Sequence, residues 1–197
     1  FSFLFYPAKT RQITDGLYAV KTLLVSFFVM ESSGSYIVFD TGVNPFLAGL
    51  GLKKLGINKD KVSHVFLTHS DYDHIGGLGL YKNAEVYISA EKKRLGSIHA
   101  LNDRDVVNVN KDSIQIIFSP GHTDDSACYL INGKILVAGD TLRISCDKRF
   151  VPFLPFQNRN HAQNKASLQM LTDEGFLEKS ELVLSAHTGF VKKEAGL

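Results

Sequence analysis

The sequence predicts an α/β protein in which a run of hairpins followed by a helix occurs twice. Short apolar runs bounded by turn residues indicate strands, and two longer segments have the caps or the apolar spacing of helices. The chain has 197 residues, of which 44% are hydrophobic and 21% charged, so it is long enough to bury one sizeable core. We therefore expect a single domain over residues 1–197.

The first half of the chain begins with antiparallel hairpins and then changes to a helix. Three strands are predicted at residues 13–20, 23–30 and 36–39. Asn44 and Pro45 can cap a helix that extends to about Leu55, and Gly56 ends it. Further along we expect a strand at residues 64–68, a short helix at 78–81, a strand at 84–89, a helix at 90–96 and strands at 106–109 and 114–118.

The second half repeats the pattern. Its elements are predicted as strands at residues 128–131 and 134–138, an irregular segment at 143–160, a helix at 161–178 and a strand at 182–184. Asn132 and Gly133 are one of the strongest short-range signals for the turn of a hairpin. Pro152 and Pro155 interrupt the irregular segment, and a segment of this kind often covers a site.

Composition excludes several classes of function. The net charge of +2 comes without a basic block, so we expect no nucleic-acid partner, and no apolar run is long enough to span a bilayer. Cys128 and Cys146 are isolated in the sequence, which excludes a disulfide framework, and we expect both to be small buried side chains. This cysteine usage favours a reducing, cytoplasmic environment.

One segment is rich in residues that bind metals. After the strand at residues 64–68 the chain has, within six residues, His69, Asp71, Asp73 and His74. In an extended chain the first three side chains point to one side, and the Gly-Gly pair that follows can turn His74 back to them. A solvated turn could contain the same residues, so this segment alone leaves both interpretations open.

Polar residues directly after other predicted strands favour the metal interpretation. These residues are Asp40, His122, Asp140 and His187. Strand ends at one edge of a sheet share a neighbourhood, so residues that are distant in the sequence can converge there. We therefore predict a metal site at that edge.

These motifs resemble the metallo-β-lactamase superfamily. The family pattern is a His-x-His-x-Asp-His run, a later His in a Pro-Gly-His loop, a Gly-Asp carboxylate and a final His. The match extends from Asp40 to His187. The resemblance implies a four-layer αβ/βα sandwich of two mixed β-sheets flanked by helices, with a binuclear metal centre.

The resemblance also implies a role for each motif residue. The first metal would be bound by His69, Asp71 and His122, and the second by Asp73, His74 and His187. Asp140 would bridge both metals, and Asp40 would hold a ligand imidazole by a hydrogen bond. The implied cofactors are two divalent metal ions, and zinc is the first expectation.

Asp71 departs from the family pattern, which usually has a histidine at this position. With Asp71, Asp73 and Asp140 ionised, the charge of a site with two divalent ions would be about +1 instead of about +2. Because a carboxylate is a harder ligand than an imidazole, binding of iron or manganese becomes more favourable here relative to zinc. The shorter side chain could also fail to reach its metal and leave one site empty.

The resemblance implies a hydrolase that uses a metal-activated water or hydroxide. Its partner would be a small-molecule substrate, namely an ester, thioester, lactone, lactam or phosphoester, and Asp73 and Asp140 would act in catalysis by holding the metals and orienting the nucleophile. The carboxylate at Asp71 raises an alternative, a non-haem diiron oxidoreductase of the flavodiiron type that reduces dioxygen or nitric oxide. A catalytically silent metal-binding module is the third interpretation.

Three residues outside the motifs are candidates for contacts with the substrate. Tyr72 lies between two ligands in the sequence, whereas Arg143 and His161 lie near the irregular segment and could contact an anion. The phenylalanines of that segment suggest an apolar wall. We expect His64 to be a core histidine or to support a ligand residue without binding the metal, and His99 to face the solvent.

Overall fold

The computed structural model describes residues 5–90 and 98–193. Within these ranges the first sheet has seven strands: β1 (Arg11–Thr14), β2 (Leu17–Thr22), β3 (Val25–Ser32), β4 (Ser35–Phe39), β5 (Val62–Phe66), β6 (Glu85–Ser89) and β7 (His99–Leu101). The first four strands pair as antiparallel hairpins, and β4 to β7 pair in parallel. Parallel pairs need crossover connections, and two of these contain α1 (Pro45–Lys54) and α2 (Tyr72–Ile75).

The second sheet of the described chain contains β8 (Val106–Val109), β9 (Asp112–Phe118), β10 (Ala127–Ile131), β11 (Ile135–Val137), β14 (Leu182–Ser185) and β15 (Gly189–Lys192). Only β11 and β14 are parallel within it. A separate hairpin of β12 (Leu142–Ile144) and β13 (Phe150–Pro152) precedes α3 (His161–Asp173) and α4 (Phe176–Lys179). Among the described residues, no helix is long and apolar enough to cross a membrane.

Successive residues of the strands pack into different layers. Phe28 of β3 and Ile116 of β9 belong to the core between the two sheets, whereas their neighbours Val29 and Ile117 face outward. The outward residues of the first sheet pack on α1, and those of the second sheet pack on α3. This order of helix, sheet, sheet and helix confirms the predicted fold class, and the two-residue period of the strands produces it.

Two local predictions are confirmed in detail. Asn132 and Gly133 have φ angles of +52° and +68°, as a tight hairpin turn between β10 and β11 requires. The side chain of Asn44 accepts a hydrogen bond of 2.9 Å from the Leu47 N–H, so it caps α1 as predicted.

Several predicted strand boundaries are wrong. The strand at residues 13–20 is divided into β1 and β2, because Gly16 has a φ of +68° and turns the chain. Leu23 has a φ of +61° and is 64% exposed, so β3 begins two residues later than predicted, at Val25. The strand predicted at 64–68 ends at Phe66.

The second half also differs from the prediction. The segment at 143–160 is partly regular, since it contains most of the β12–β13 hairpin and a 3-10 turn. Gly175, with a φ of +76°, divides the predicted helix into α3 and α4. The strand β15 was not predicted, and Cys146 is exposed although Cys128 is buried. The helix predicted at 90–96 lies, except for its first residue, outside the described residues.

Candidate metal centre

Four histidines and three aspartates converge where the loops after β5, β9, β11 and β14 meet. Ligand atoms within 4.8 Å of one another define three sets: His69, Asp71 and His122; His69, His74 and Asp140; and Asp73, His74 and His187. We call the set with Asp71 the first set and the set with Asp73 the second set. The first and second sets contain the residues that the motif resemblance implies as ligands of the first and second metal, apart from the bridging Asp140.

The segment with four of these residues is not extended throughout. Asp71 is extended, with φ −71° and ψ 147°, but α2 begins at the next residue, so Asp73 and His74 lie on a helical turn. The prediction that His69, Asp71 and Asp73 share one side of an extended chain is therefore wrong. A Cβ atom on Gly76 would lie 2.1 Å from the carbonyl oxygen of Val43. This close approach lets α2 pack against the loop after β4.

Each imidazole of the cluster is oriented through its Nδ1 atom. The partners are Thr68 Oγ1 for His69 (3.0 Å), Asp40 Oδ2 for His74 (2.8 Å), Asn158 Oδ1 for His122 (3.3 Å) and the Leu24 carbonyl for His187 (2.7 Å). A carbonyl oxygen can only accept, so Nδ1 of His187 carries the proton. The Nε2 atoms of the four histidines therefore remain available as ligand atoms within the cluster.

Asp140 lies between the two sets. Its Oδ2 atom is 3.4 Å from Nε2 of His122 and 3.2 Å from Nε2 of His187, and its Oδ1 atom is 3.6 Å from Nε2 of His74. The preceding Gly139 has a φ of +50°, and a Cβ atom there would lie 2.6 Å from the Thr68 hydroxyl. The glycine thus allows the strand end to approach the ligand segment closely.

Asp71 reaches the cluster despite its short side chain. Its Oδ2 atom lies 3.3 Å from Nε2 of His122 and 3.8 Å from Nε2 of His69. Asp73 makes the corresponding approach in the second set, with Oδ2 3.4 Å from Nε2 of His187. Both carboxylates are 39% exposed, so they border the open side of the site.

The donor atoms fit a metal ion. Nε2 of His69, Nε2 of His74 and Oδ1 of Asp140 are buried and have no hydrogen-bond partner within the described chain. Buried polar atoms without partners are costly, and a cation bound between them would satisfy all three. Imidazole nitrogen and carboxylate oxygen are ligands for zinc, iron and manganese.

Burial and charge act in opposite directions on the titrating groups. Burial lowers the pKa of His69 to about 3. Burial also opposes protonation of His187, but the Asp140 and Asp73 carboxylates outweigh it and raise the pKa to about 9. Burial likewise opposes protonation of His74, yet Asp140 and Asp40 raise its pKa well above the ordinary value. The carboxylates therefore favour the protonated forms of His74 and His187, whereas burial favours the neutral form of His69.

The candidate substrate residues lie outside the cluster. Tyr72 begins α2 and is 72% exposed. No described ion pair joins Arg143 of β12 to the cluster, and its charge acts on Tyr6 instead. His161 begins α3, with Nδ1 2.9 Å from the Asn158 amide, and thus contacts the residue that orients His122.

The two histidines expected outside the site lie on β5 and β7, one on each side of β6. His64 stacks on Tyr87, with ring centroids 6.0 Å apart, and the side chain of His99 is 55% exposed. Of the phenylalanines expected to form a wall, Phe153 packs on the rings of His122 and His187, with centroids 4.9 and 5.6 Å away. Phe156 is 71% exposed instead.

Sequence reasoning missed two residues that contact the first set. Asn158 holds His122, and Arg159 lies with Nη2 4.0 Å from Oδ1 of Asp71. Both lie in the segment interpreted as irregular, and no local pattern distinguishes them. Only the expectation that this segment covers a site pointed towards them.

The fold and the cluster define a four-layer α/β protein with a candidate site for two metal ions. In sequence comparison, the model of the metallo-beta-lactamase superfamily matches residues 20–103. The chain is 28% identical over 116 residues to a hydroxyacylglutathione hydrolase of Francisella tularensis subsp. novicida, covering 54% of this chain and 46% of the relative. It is 35% identical over 104 residues to a hydroxyacylglutathione hydrolase of Salmonella typhi, covering 51% and 41%. The chain spans less than half the length of these relatives.

Solved structures share the fold at lower sequence identity. A B3 metallo-beta-lactamase with an active-site glutamic acid has a TM-score of 0.72 and 19% identity, covering 98% of this chain and 86% of that chain. An archaeal metallo-beta-lactamase superfamily protein from Sulfolobus tokodaii has a TM-score of 0.66 and 19% identity, covering 90% and 81%. Residues 20–103 thus match the model of the metallo-beta-lactamase superfamily, and the chain as described has the fold of these solved structures.

Proposed function

We propose that this protein is a metal-dependent hydrolase of a small ester or thioester. The observation that carries the proposal is the position of Asp140. Its Oδ2 atom lies within 3.4 Å of a histidine of the first set and 3.2 Å of a histidine of the second. A carboxylate shared by two sets of ligands is the arrangement that suits a pair of cations acting on one substrate.

The first set would hold one cation, the second set the other, and Asp140 would bridge them. When bound, two divalent ions supply Lewis acidity, which polarises the substrate carbonyl and lowers the pKa of water towards neutrality. We propose zinc, with iron or manganese as competitors at the position that contains Asp71, because a carboxylate favours harder ions.

The chain itself would orient the reactants and restrict water. Burial opposes ionisation of Asp73, but hydrogen bonding from His187 keeps its pKa below the ordinary value, so the carboxylate stays ionised and would be available to hold a cation at the open side. Phe153 is 1% exposed and covers two of the imidazoles. This apolar cover would limit the entry of water from that side.

The names of the relatives support a thioester or ester as the substrate. Their name, hydroxyacylglutathione hydrolase, describes hydrolysis of an acyl group bound to a thiol. Because the chain spans less than half of their length, only the reaction class is carried over here, without the glutathione portion. We therefore rank thioesters and esters above lactones, lactams and phosphoesters as candidate substrates.

The test combines metal analysis with a substrate panel. We expect purified protein to contain two metal ions per chain by mass spectrometry and to hydrolyse an acyl thioester or a p-nitrophenyl ester. The Asp140→Asn variant should lose metal and activity. The matched control is Asp112→Asn, a buried aspartate bonded to Ser32 and Asn132, which should keep both.

Two results would contradict this function. Two iron ions with visible absorbance and consumption of dioxygen would favour the diiron oxidoreductase. Protein that binds two ions and hydrolyses no member of a panel of esters, thioesters, lactones, lactams and phosphoesters would favour a catalytically silent metal-binding module.

A further inference from the structure

Arg159 lies beside the outer oxygen of Asp71. Its Nη2 atom is 4.0 Å from Oδ1 of Asp71, and its Nη1 atom is 3.8 Å from Oδ2 of Asp124. The other oxygen of Asp71 faces the imidazole nitrogens of His122 at 3.3 Å and His69 at 3.8 Å. One carboxylate therefore has a cation on its outer side and the candidate metal position on its inner side.

Main-chain hydrogen bonds place the backbone of Arg159 beside the first set. Its N–H donates to the carbonyl of His122 at 3.0 Å, and the N–H of Asn160 donates to the carbonyl of Gly121 at 2.9 Å. The preceding residue, Asn158, has Oδ1 3.3 Å from Nδ1 of His122. Two consecutive side chains thus contact two members of the first set.

The charge of Arg159 matches the departure of this chain from the family pattern. An aspartate in place of a neutral histidine adds one negative charge to the site, and the guanidinium adds one positive charge next to it. The positive charge 4.0 Å from the outer oxygen also favours the orientation in which the inner oxygen points at the imidazoles. Arg159 is 56% exposed, so solvent screens part of this interaction.

We propose that Arg159 is the positioning residue for Asp71. Its charge attracts the outer oxygen, so that the inner oxygen faces the first metal position, and it offsets the charge that the aspartate adds. The inference rests on the proposed function, because it takes Asp71 to be a metal ligand.

A double-mutant cycle tests the coupling of the two residues. Zinc affinity of the full chain is measured by competition with a chromophoric chelator for wild type, Arg159→Gln, Asp71→His and the double variant. Loss of a residue that orients a ligand typically costs 10- to 100-fold in metal affinity. Because Arg159 is partly exposed, we expect a loss of about tenfold in the wild-type background and less than about twofold in the Asp71→His background. Arg159→Lys, which keeps the charge, should restore most of the affinity.

The controls separate positioning from other roles. Arg149→Gln removes an exposed arginine that pairs with Asp147 and should leave zinc affinity unchanged. An equal loss from Arg159→Gln in both backgrounds, or no loss in either, would overturn the inference. If Arg159 contacted only an anionic substrate, its loss would leave zinc affinity unchanged in both backgrounds and would raise the KM.

Failure of this inference is distinguishable from failure of the proposed function. Wild type that binds two ions and hydrolyses a thioester or ester, while the cycle shows no coupling, refutes the role of Arg159 alone. Wild type that binds no metal refutes both.

Discussion

Oδ2 of Asp40 lies 2.8 Å from Nδ1 of His74, and both side chains are buried. Oδ1 of Asp40 accepts a second hydrogen bond of 2.8 Å from the N–H of Thr68. One carboxylate therefore connects the end of β4, the end of β5 and α2. Its bond to Nδ1 directs Nε2 of His74 towards Asp140.

The Asp40→Asn substitution should weaken metal binding by His74. The N–H of Thr68 requires the amide oxygen, so the amide nitrogen would face Nδ1 and donate to it. The proton of the neutral imidazole would then lie on Nε2, which could no longer bind a metal. We expect the affinity for the ion at the second set to fall about 10- to 100-fold, as measured by chelator competition. The Asp112→Asn control should bind as wild type does, and wild-type affinity in the Asp40 variant would contradict this prediction.

Metal binding should release protons from the cluster. His74 and His187 have raised pKa values, about 9 for His187, whereas His69 has a pKa of about 3 and is already neutral at pH 7.5. Metal binding requires neutral imidazoles, so His74 and His187 should release about two protons per chain at pH 7.5, and a metal-bound water that ionises would add up to about one more. The apparent affinity should therefore fall as the pH drops below about 9. Calorimetric titration of zinc in buffers of different ionisation enthalpy measures the number, and a value near zero would refute the prediction.

The Gly121→Ala substitution should destabilise the protein and move His122. Gly121 has a φ of +130°, and a Cβ atom there would lie 2.2 Å from the backbone nitrogen of Asn164. Strain and overlap with backbone should cost roughly 2 to 5 kcal/mol. Gly133→Ala is the matched control, since Gly133 has a φ of +68° with nothing within 4 Å, and should cost about 1 to 2 kcal/mol. Urea denaturation compares the two, and equal losses would show that the close contact is unimportant.

The Phe153→Ala substitution should cost far more stability than Phe156→Ala. Phe153 is 1% exposed and Phe156 is 71% exposed, so only the first leaves a cavity when truncated. We expect a loss of about 3 to 5 kcal/mol for Phe153→Ala and within about 0.5 kcal/mol for Phe156→Ala, from urea denaturation. Similar values for both variants would mean that the segment does not pack on the imidazoles as described.

Local sequence signals were sufficient for much of the fold. The Asn132–Gly133 turn and the Asn44 cap depend on neighbouring residues, so a short window of sequence contains the information. Boundaries failed at Gly16 and Leu23, where positive φ angles turn the chain inside runs that look like strands. The alternation of hydrophobic residues does not reveal such turns, because it depends on which side chains are buried and not on the direction of the chain.

The sequence by itself determined which kinds of side chain follow the strands, because apolar runs and the polar residues after them are local features. Only the tertiary structure decided that the oxygens of Asp71 face His122 on one side and Arg159 on the other. It also decided that Leu24 offers a carbonyl to His187. Contacts between residues far apart in the chain depend on how the two sheets and their loops pack, and no short window of sequence specifies that packing.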